Sequence, residues 1–524
     1  MMHLRFDKLF TLTKCDMMRN TMKNRFINQF AVTLLTAAVL VGCGSNNKER
    51  TANTPAPDPI SEDYQGVWVA PGYGLSVNIG TDSAKIYQYT TDYCFLTLDE
   101  SELDTTNVER LLRKTDNVDE LEWYSGVGTA TFGPPGYFFE RASSLPDSCQ
   151  TDLIDLNDVS STDYDATDLF AMYSQIFEEY YVDFERNNVN WADTIQSAGG
   201  ELTSSSSNEQ LFAAMANTLA PMADSHNYIT TPEGLSHKVF TKPTLIENLI
   251  EEYATLNGLA YPIDPQILTQ QLVDSINGYI VDSLEYQWDI VTGYAASPDD
   301  IRYAADGRIR WFKNEGLGYL YVSSMLGYSE VTDDELAITT DTLQKVNVIL
   351  DNALNDLSDV EGLIVDVRTN DGGYDFVSMA IASRFAQGEY HAFSKQARDG
   401  NGRTPLKDVY IQPSTRATYH GSIVLLTSSN TVSAAETFTL SMAQLPNVQL
   451  VGEATHGALS NVLEWNLPNG FEIGMSNEYY LSANGDWFEG EGIPVDVAVP
   501  FFTQEQREQQ VDLGIETAVH LLLQ

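Results

Sequence analysis

The sequence predicts an α/β fold in which a helical region and a small β-rich module precede the core. Three observations predict this architecture. After Gly316, apolar runs such as residues 363–367 and 422–427 alternate with helical segments, which is typical of a sheet covered on both faces. From Asp165 onward, apolar residues recur at helical spacing. Residues 63–150 alternate aromatic and polar positions between Gly and Pro turns, which indicates short strands.

The chain has 524 residues, enough for several structural units. We expect a signal segment over residues 1–42, a polar Pro-rich tether over 43–62, a β-rich module over 63–160, a helical region over 161–312 and an α/β core over 313–524.

The N-terminus indicates export. Lys23 and Arg25 precede an apolar stretch, residues 31–41, that is too short to span a bilayer. Leu-Val-Gly-Cys follows it, so the segment resembles a bacterial lipoprotein signal, which implies that Cys43 carries the lipid. In such signals Gly44 favours the outer membrane of the cell envelope. An ordinary cleaved signal peptide is the alternative.

The charge excludes one class of partner. Lys and Arg number 29 against 74 Asp and Glu, for a net charge of −45. A surface of this sign repels phosphate backbones, so we expect no nucleic-acid partner.

Cysteine and histidine usage indicates a disulfide and no metal site. With Cys43 lipidated, Cys94 and Cys149 are the two cysteines left in the exported chain, and we expect them to pair in an oxidising compartment. Neither Cys-x-x-Cys nor His-Glu-x-x-His occurs, so the sequence supports no zinc site.

Several segments carry residues suited to acyl-transfer chemistry. Ser433 follows a buried strand and begins a helix, where backbone N–H groups favour an oxyanion, although a serine there is more often only a cap. Gly372 and Gly373 form a turn after another buried strand. His226 follows an Asp-Ser pair at a helix end and can titrate near neutral pH. Glu489 lies in a Gly-rich loop.

Four motifs in this order resemble those of the serine peptidases of the C-terminal processing and tricorn core group. They are Asp-x-His, Asp-x-Arg-x-Asn-x-Gly-Gly, Ser-Ala-x-Glu and Gly-Ile-x-x-Asp, at residues 224–226, 366–373, 433–436 and 492–496. The resemblance covers the chain from about residue 165 to its end. It implies a crotonase-like (ClpP/crotonase) core and a serine-type peptidase that needs no cofactor.

Departures from the processing peptidases select the tricorn-like branch. Ala458 stands where those enzymes carry a Lys base, and no sequence resembling a PDZ domain precedes the core. The tricorn-like branch uses a Ser-His pair, a nucleophilic Ser and a Glu, which Ser225, His226, Ser433 and Glu489 match. The resemblance implies that Ser433 attacks the scissile carbonyl, that His226 takes its proton and that Ser225 bridges Glu489 to His226.

The same resemblance implies that the N–H groups of Ala434 and of Gly372 or Gly373 hold the oxyanion. We expect a peptide or protein substrate and membrane contact through the lipid alone; the oligomeric state is left open. His456 is the alternative base. Two other functions stay open: a ligand-binding protein on the same fold that has lost catalysis, and a surface adhesion or glycan-binding lipoprotein.

Overall fold

A computed structural model describes residues 59–123, 136–160, 163–332 and 335–524. The expected signal segment, Cys43 and most of the tether lie outside these ranges. The described part of the chain begins with strands β1 Gly66–Ala70, β2 Leu75–Ile79, β3 Ser83–Tyr89, β4 Cys94–Ser101, β5 Leu112–Lys114, β6 Glu120–Trp123, β7 Phe138–Ala142 and β8 Leu153–Asp155. Two short helices accompany them, α1 Thr105–Glu109 and α2 Asp147–Thr151.

These strands form one eight-stranded sheet in the order β5-β6-β7-β1-β2-β3-β4-β8. Neighbours pair antiparallel except β4 and β8, which are parallel. Alternate residues, among them Trp68, Leu75 and Ile86, are buried in one apolar cluster, as strand periodicity requires. A disulfide joins Cys94, at the start of β4, to Cys149 in α2, the pairing expected from the sequence.

Three helices follow: α3 Ala166–Tyr180, α4 Trp191–Gly199 and α5 Asn208–Leu219. Ser207 and Gln210 form the predicted capping box, because each side chain accepts the backbone N–H of the other. The predicted apolar face of α3 is buried, and it consists of Leu169, Met172, Ile176, Phe177 and Tyr180.

Residues 228–314 are less helical than the sequence predicts. The segment contains strands β9 Tyr228–Thr230 and β10 Ser236–Lys238 and helices α6 Leu245–Leu256 and α7 Gln270–Thr292. It ends in strands β11 Arg302–Ala304 and β12 Ile309–Asn314. The expectation of helix up to residue 312 is therefore wrong after α7, because β11 and β12 pair with each other and β12 with the first core strand.

The core comprises β13 Leu317–Val322, α8 Glu335–Asp356, β14 Gly362–Asp366, α9 Asp375–Ala382, β15 Tyr390–Asp399, β16 Gly402–Arg403, β17 Lys407–Ile411, β18 Ser422–Thr427, α10 Ala434–Met442, β19 Val448–Gly452, β20 Val462–Asn466, β21 Glu472–Ser476, β22 Glu478–Ser482, β23 Val497–Ala498, α11 Gln504–Gln509 and α12 Leu513–Leu522. Its main sheet has the order β11-β12-β13-β14-β18-β19-β23, with β13 through β23 parallel. The mixed α/β fold is the one that the sequence predicts.

Both faces of this sheet are covered. Leu363 and Val365 of β14 point into an apolar cluster with α8, α9 and α10, whereas Ile364 packs in a second cluster with α7 and α12. Opposite faces for successive residues are the consequence of the two-residue period of a strand. This explains why β14 and β18 are apolar throughout.

Parallel strands place the candidate residues at one edge. The glycine turn follows β14, Ser433 follows β18 and His456 follows β19, so all three lie where the carboxyl ends of neighbouring strands meet. A second sheet, β10-β9-β21-β20, holds the segment that carries His226, because β9 pairs with β21 of the core.

Candidate active site

Ser433 lies in the turn between β18 and α10, and its backbone is in an unusual conformation. Its φ is +57° and its ψ is −123°, a combination that residues other than glycine seldom adopt. Its N–H donates to Glu436 Oε2 at 3.1 Å. The half-buried side chain therefore stands on a sharp strand-to-helix turn, at a helix N-terminus that favours negative charge.

The glycine turn after β14 lies directly against Ser433. A Cβ placed on Gly372 would lie 2.8 Å from Ser433 Cβ and 3.2 Å from Ala434 N, so only glycine permits this approach. The Gly372 N–H donates to Asn370 Oδ1 at 2.9 Å and is thereby occupied. Within the described ranges, the N–H groups of Gly373 and Ala434 donate to no protein acceptor. The geometry thus favours Gly373 over Gly372 as the second backbone donor.

Glu436 is fully buried and ties α10 to the loop after β19. Its Oε1 accepts from Thr455 Oγ1 at 2.6 Å and from Gly457 N–H at 2.7 Å, and its Oε2 accepts from Ala458 N–H at 2.8 Å. Burial raises the pKa of Glu436, and these donors oppose that shift. Ala458 is buried beside this carboxylate, so a methyl group occupies the position at which the resemblance implies a Lys base in the processing peptidases.

His226 lies between α5 and β9 and is only 6% exposed. Asp224 Oδ1 accepts the His226 backbone N–H at 2.8 Å and the Ser476 hydroxyl at 3.1 Å. The ring Nδ1 has no hydrogen-bond partner among the described residues. Burial first, then the positive charge of Lys238 and the proximity of the His456 ring, lowers the pKa of His226 to about 3. The imidazole is therefore neutral at pH 7 and keeps a lone pair that can accept a proton.

Ser225 makes its closest polar contact with a different histidine. Its Oγ lies 2.6 Å from His456 Nε2 and accepts the Thr241 N–H at 3.0 Å. His456 Nδ1 lies 2.9 Å from the Ser429 carbonyl oxygen, which can only accept, so Nδ1 carries the proton. His456 Nε2 is then the acceptor for the Ser225 hydroxyl. Burial lowers the pKa of His456, so this ring too is neutral.

Glu489 is buried and is bound by backbone amides. Its Oε2 accepts the N–H groups of Leu459 and Ser460, each at 3.0 Å, and its Oε1 has no partner among the described residues. Burial, and then the negative charges of Asp224 and Glu436, raises the pKa of Glu489 well above its usual range. Glu489 thus holds a proton more readily than an exposed glutamate.

The expected bridge from Glu489 through Ser225 to His226 is not formed. The Ser225 hydroxyl is engaged by His456, and the Glu489 carboxylate by two backbone amides. The Ser460 backbone acts on both other groups: its N–H binds Glu489, and hydrogen bonding to the Ser460 backbone opposes the lowering of the His226 pKa. Among the described residues, no hydrogen bond joins Ser433 Oγ to either imidazole.

Two lysines near the site were not identified from the sequence. Lys242 Nζ donates to the carbonyl oxygens of Thr455 at 2.5 Å and of Glu491 at 2.7 Å, and so joins two loops of the site. Lys238 Nζ lies 5.4 Å from the centroid of the Phe240 ring, which is 6.5 Å from the His456 ring. The available signal was two lysines close together in a chain with few basic residues.

The described residues show neither a metal cluster nor a membrane-spanning helix. No group of three or more His, Cys, Asp or Glu side chains in these ranges is arranged to hold a metal ion. No helix there is long and apolar enough to cross a membrane.

The core, with its serine turn and facing glycine turn, has relatives among known proteins. Residues 316–499 match peptidase family S41. The S41 match includes the glycine turn, Ser433 and Glu489, whereas Ser225 and His226 precede it.

Curated relatives and a solved structure agree with the S41 match. The chain is 24% identical to the carboxy-terminal processing protease CtpA of Bacillus subtilis (strain 168) over 215 residues, 40% of this chain and 42% of CtpA. It is 22% identical to CtpB of the same organism over 233 residues, 43% of this chain and 44% of CtpB. The chain therefore spans less than half the length of these relatives.

A crystal structure of a candidate peptidase from Parabacteroides merdae ATCC 43184 is similar to this chain with a TM-score of 0.52 and 23% identity. The similarity covers 69% of this chain and 98% of that one. It therefore shows a shared fold that extends beyond the S41 match.

Proposed function

We propose that this chain is a serine-type peptidase and that Ser433 is its nucleophile. The contact between Gly372 and Ser433 carries the proposal, because it sets a strained serine at a helix N-terminus beside a glycine turn. The S41 match over this region supports the same reaction class. We further propose that the core has the crotonase-like arrangement implied by the motifs.

His226 is proposed as the general base. Its ring is neutral and its Nδ1 is not bound by any described protein group, whereas both nitrogens of His456 are engaged. In the reaction, Ser433 Oγ attacks the scissile carbonyl while His226 accepts the hydroxyl proton. His226 then donates this proton to the leaving amine, and water hydrolyses the acyl-enzyme by the same route.

The oxyanion of the tetrahedral intermediate is proposed to bind the N–H groups of Ala434 and Gly373. Ala434 follows Ser433 in the chain, Gly373 follows the glycine that contacts Ser433, and the N–H groups of both are free of described protein acceptors. Glu489 and Asp224 are buried carboxyl groups on the His226 side, and burial raises the pKa of both. In its ionised form either group would stabilise the imidazolium that forms during catalysis. Ser225 would then act on His456 rather than on His226.

The substrate is proposed to be a peptide or protein of the cell envelope, hydrolysed by a lipid-anchored enzyme of the outer membrane. Lys23, Arg25 and the apolar residues 31–41 ahead of Cys43 support export and anchoring. The disulfide between Cys94 and Cys149 fits an oxidising compartment.

A fluorophosphonate probe tests the proposal, because it forms a stable adduct with an activated serine. We expect one adduct on the wild-type protein, mapped to Ser433 by mass spectrometry and absent from Ser433→Ala. Ser205→Ala, which alters an exposed serine whose hydroxyl contacts Thr203 Oγ1, should label at the wild-type rate. An unlabelled wild-type protein that cleaves no member of a peptide library would instead support a binding protein on this fold.

A further inference from the structure

The N-terminal module inserts a turn into the core. The turn between β1 and β2 carries Tyr73, which is only 6% exposed, and the Tyr73 hydroxyl donates to Glu478 Oε1 at 2.6 Å. Gly72 lies so close to the core that a Cβ there would be 2.6 Å from the Arg398 carbonyl oxygen, and its own carbonyl oxygen accepts from Asn477 Nδ2. A residue from the start of the chain thus reaches β22, 405 positions later.

Glu478 is completely buried, and few described groups contact its carboxyl group. Lys395 Nζ lies 2.9 Å from Oε1, and the Tyr73 hydroxyl contacts the same oxygen. Glu478 Oε2 has no hydrogen-bond partner in the described part of the chain. Because a buried carboxylate is stable only when its oxygens are paired, loss of the Tyr73 hydroxyl would leave Lys395 as the remaining donor.

One route leads from Glu478 to the proposed catalytic carboxylate. The Glu478 backbone N–H donates to Ser460 Oγ at 3.1 Å, and the Ser460 N–H donates to Glu489 Oε2 at 3.0 Å. These two hydrogen bonds connect Glu478 to the loop that holds Glu489.

A second route leads to the nucleophile helix. Asp375 begins α9 just after the glycine turn. Burial raises the pKa of Asp375, and the positive charge of Lys395, the partner of Glu478, opposes that shift. Asp375 Oδ1 accepts from Thr437 Oγ1 of α10 at 2.7 Å, and Oδ2 accepts from Tyr480 at 3.2 Å. A hydrogen bond thus joins α9, which follows the glycine turn, to α10, which begins at Ala434.

We propose that Tyr73 is a positioning residue, through which the N-terminal module holds Glu478 and thereby the loop of Ser460 and Glu489 in the active arrangement. This inference rests on the proposed function for its effect on catalysis. It assigns the module a part in the active centre, where the sequence alone indicates no chemistry for it.

The alternative is that Tyr73 merely anchors the module to the core. Tyr180 of α3 provides a matched control, because it is also 6% exposed and its hydroxyl also makes a hydrogen bond between the module and the rest of the chain. This hydroxyl donates to the Tyr89 carbonyl oxygen at 2.6 Å. The Tyr180 hydrogen bond ends on a backbone carbonyl of β3 and does not reach Glu478. Tyr73→Phe and Tyr180→Phe therefore remove the same atom from the same interface.

The test compares these two variants by steady-state kinetics and by hydrogen–deuterium exchange of the 457–461 segment. For Tyr73→Phe we expect kcat to fall about tenfold with KM within twofold of wild type, because misplaced catalytic groups lower the rate of the chemical step. We also expect exchange of the Leu459 and Ser460 amides, which bind Glu489, to be roughly tenfold faster. Tyr180→Phe should change neither kcat nor this exchange.

Equal exchange in the two variants, or unchanged exchange in Tyr73→Phe, would overturn the inference. Exchange is measured without substrate, so it decides the positioning role even if the protein cleaves no peptide. Retention of full activity by Ser433→Ala would refute the proposed function and would leave the exchange result to be judged separately.

Discussion

Ser225 and His456 form a hydrogen-bonded pair, with 2.6 Å between Oγ and Nε2, although 231 positions separate them in the chain. The neighbouring His226 keeps its Nδ1 unbound by the described protein groups. The site therefore holds two neutral imidazoles that differ in their hydrogen bonds. Both nitrogens of His456 are bound, to a serine hydroxyl and to a carbonyl oxygen, whereas His226 Nδ1 is able to accept a proton.

The two histidines are expected to differ in their effect on catalysis. His226→Ala should lower kcat by at least 10²-fold, because general-base catalysis contributes about 10²–10⁴-fold to a rate. His456→Ala should lower kcat less, since it removes a contact of Ser225 and not the proposed acceptor of the Ser433 proton. Parallel kinetics on purified variants, with circular dichroism to verify folding, check this; the reverse order of effects would make His456 the base.

The pH dependence should reflect the burial of His226. A base whose pKa is lowered to about 3 stays neutral through the usual imidazole range, so we expect kcat/KM to be flat between pH 8 and about pH 5. The free energy of unfolding should depend on the same imidazole. His226 binds a proton near pH 6.5 in the unfolded chain but only near pH 3 in the folded chain. Protonation therefore favours the unfolded chain, and the protein loses stability as the pH falls from 6.5 to about 3. A kcat/KM that halves near pH 6.5 would contradict the assignment.

Gly372→Ala should abolish the proposed activity by displacing Ser433, the proposed nucleophile. The new Cβ would lie 2.8 Å from Ser433 Cβ at a φ of +91°, a conformation that is strained for alanine. We expect fluorophosphonate labelling to slow about 10²-fold. Gly388→Ala is the control, because a Cβ at that exposed glycine meets no atom within 4 Å. Equal labelling of the two variants would refute the close contact.

The disulfide should contribute to the stability of the module. Cys94 and Cys149 enclose a loop of 55 residues, and cross-links of this kind stabilise proteins by about 2–5 kcal/mol. The Cys94→Ser/Cys149→Ser double variant should therefore lose that much free energy of unfolding in urea. Thiol titration of the unfolded, unreduced mature protein should find neither cysteine reactive, and two free thiols would show that no bridge forms.

Cys43→Ser should release the protein from membranes. If Cys43 carries the lipid on its sulfur, serine at this position cannot form the thioether to the lipid, and the protein should move from the membrane to the soluble fraction after cell lysis. Metabolic labelling with a fatty acid that carries an alkyne provides the direct measurement. A Cys43→Ser protein that stays in the membrane fraction would refute the lipid anchor.

Local periodicity correctly predicts the strand and the helix on either side of Ser433, the proposed nucleophile. The strand over residues 422–427 and the helix from Ala434 are present with these bounds, because a central parallel strand is apolar on both faces and the polar turn after it ends the run. By contrast, the sequence predicts helix where β11 and most of β12 lie. Arg302–Ala304 is a short, largely exposed edge strand, and pairing with β12 rather than side-chain pattern determines its conformation.

The partners of the candidate residues could be predicted only in part. The motif Asp224-Ser225-His226 indicates that the three residues act near one another, but not which hydroxyl contacts which ring. That choice depends on where the loop after β19 places His456. Nothing in the sequence near Tyr73 or Glu478 predicts the hydrogen bond between them, because each residue looks like an ordinary side chain at the end of a strand.

The wide sequence separation of these contacts has a consequence for the timing of activity. A chain made from its N-terminus exposes Tyr73 first, then the His226 segment, then Ser433, and the loop with Glu489 last of all. The contacts across 405 and 231 positions form only after residues 478 and 456 have been made. A nascent chain that ends before these residues therefore lacks an assembled candidate site, and the proposed peptidase activity is expected only once synthesis has passed them.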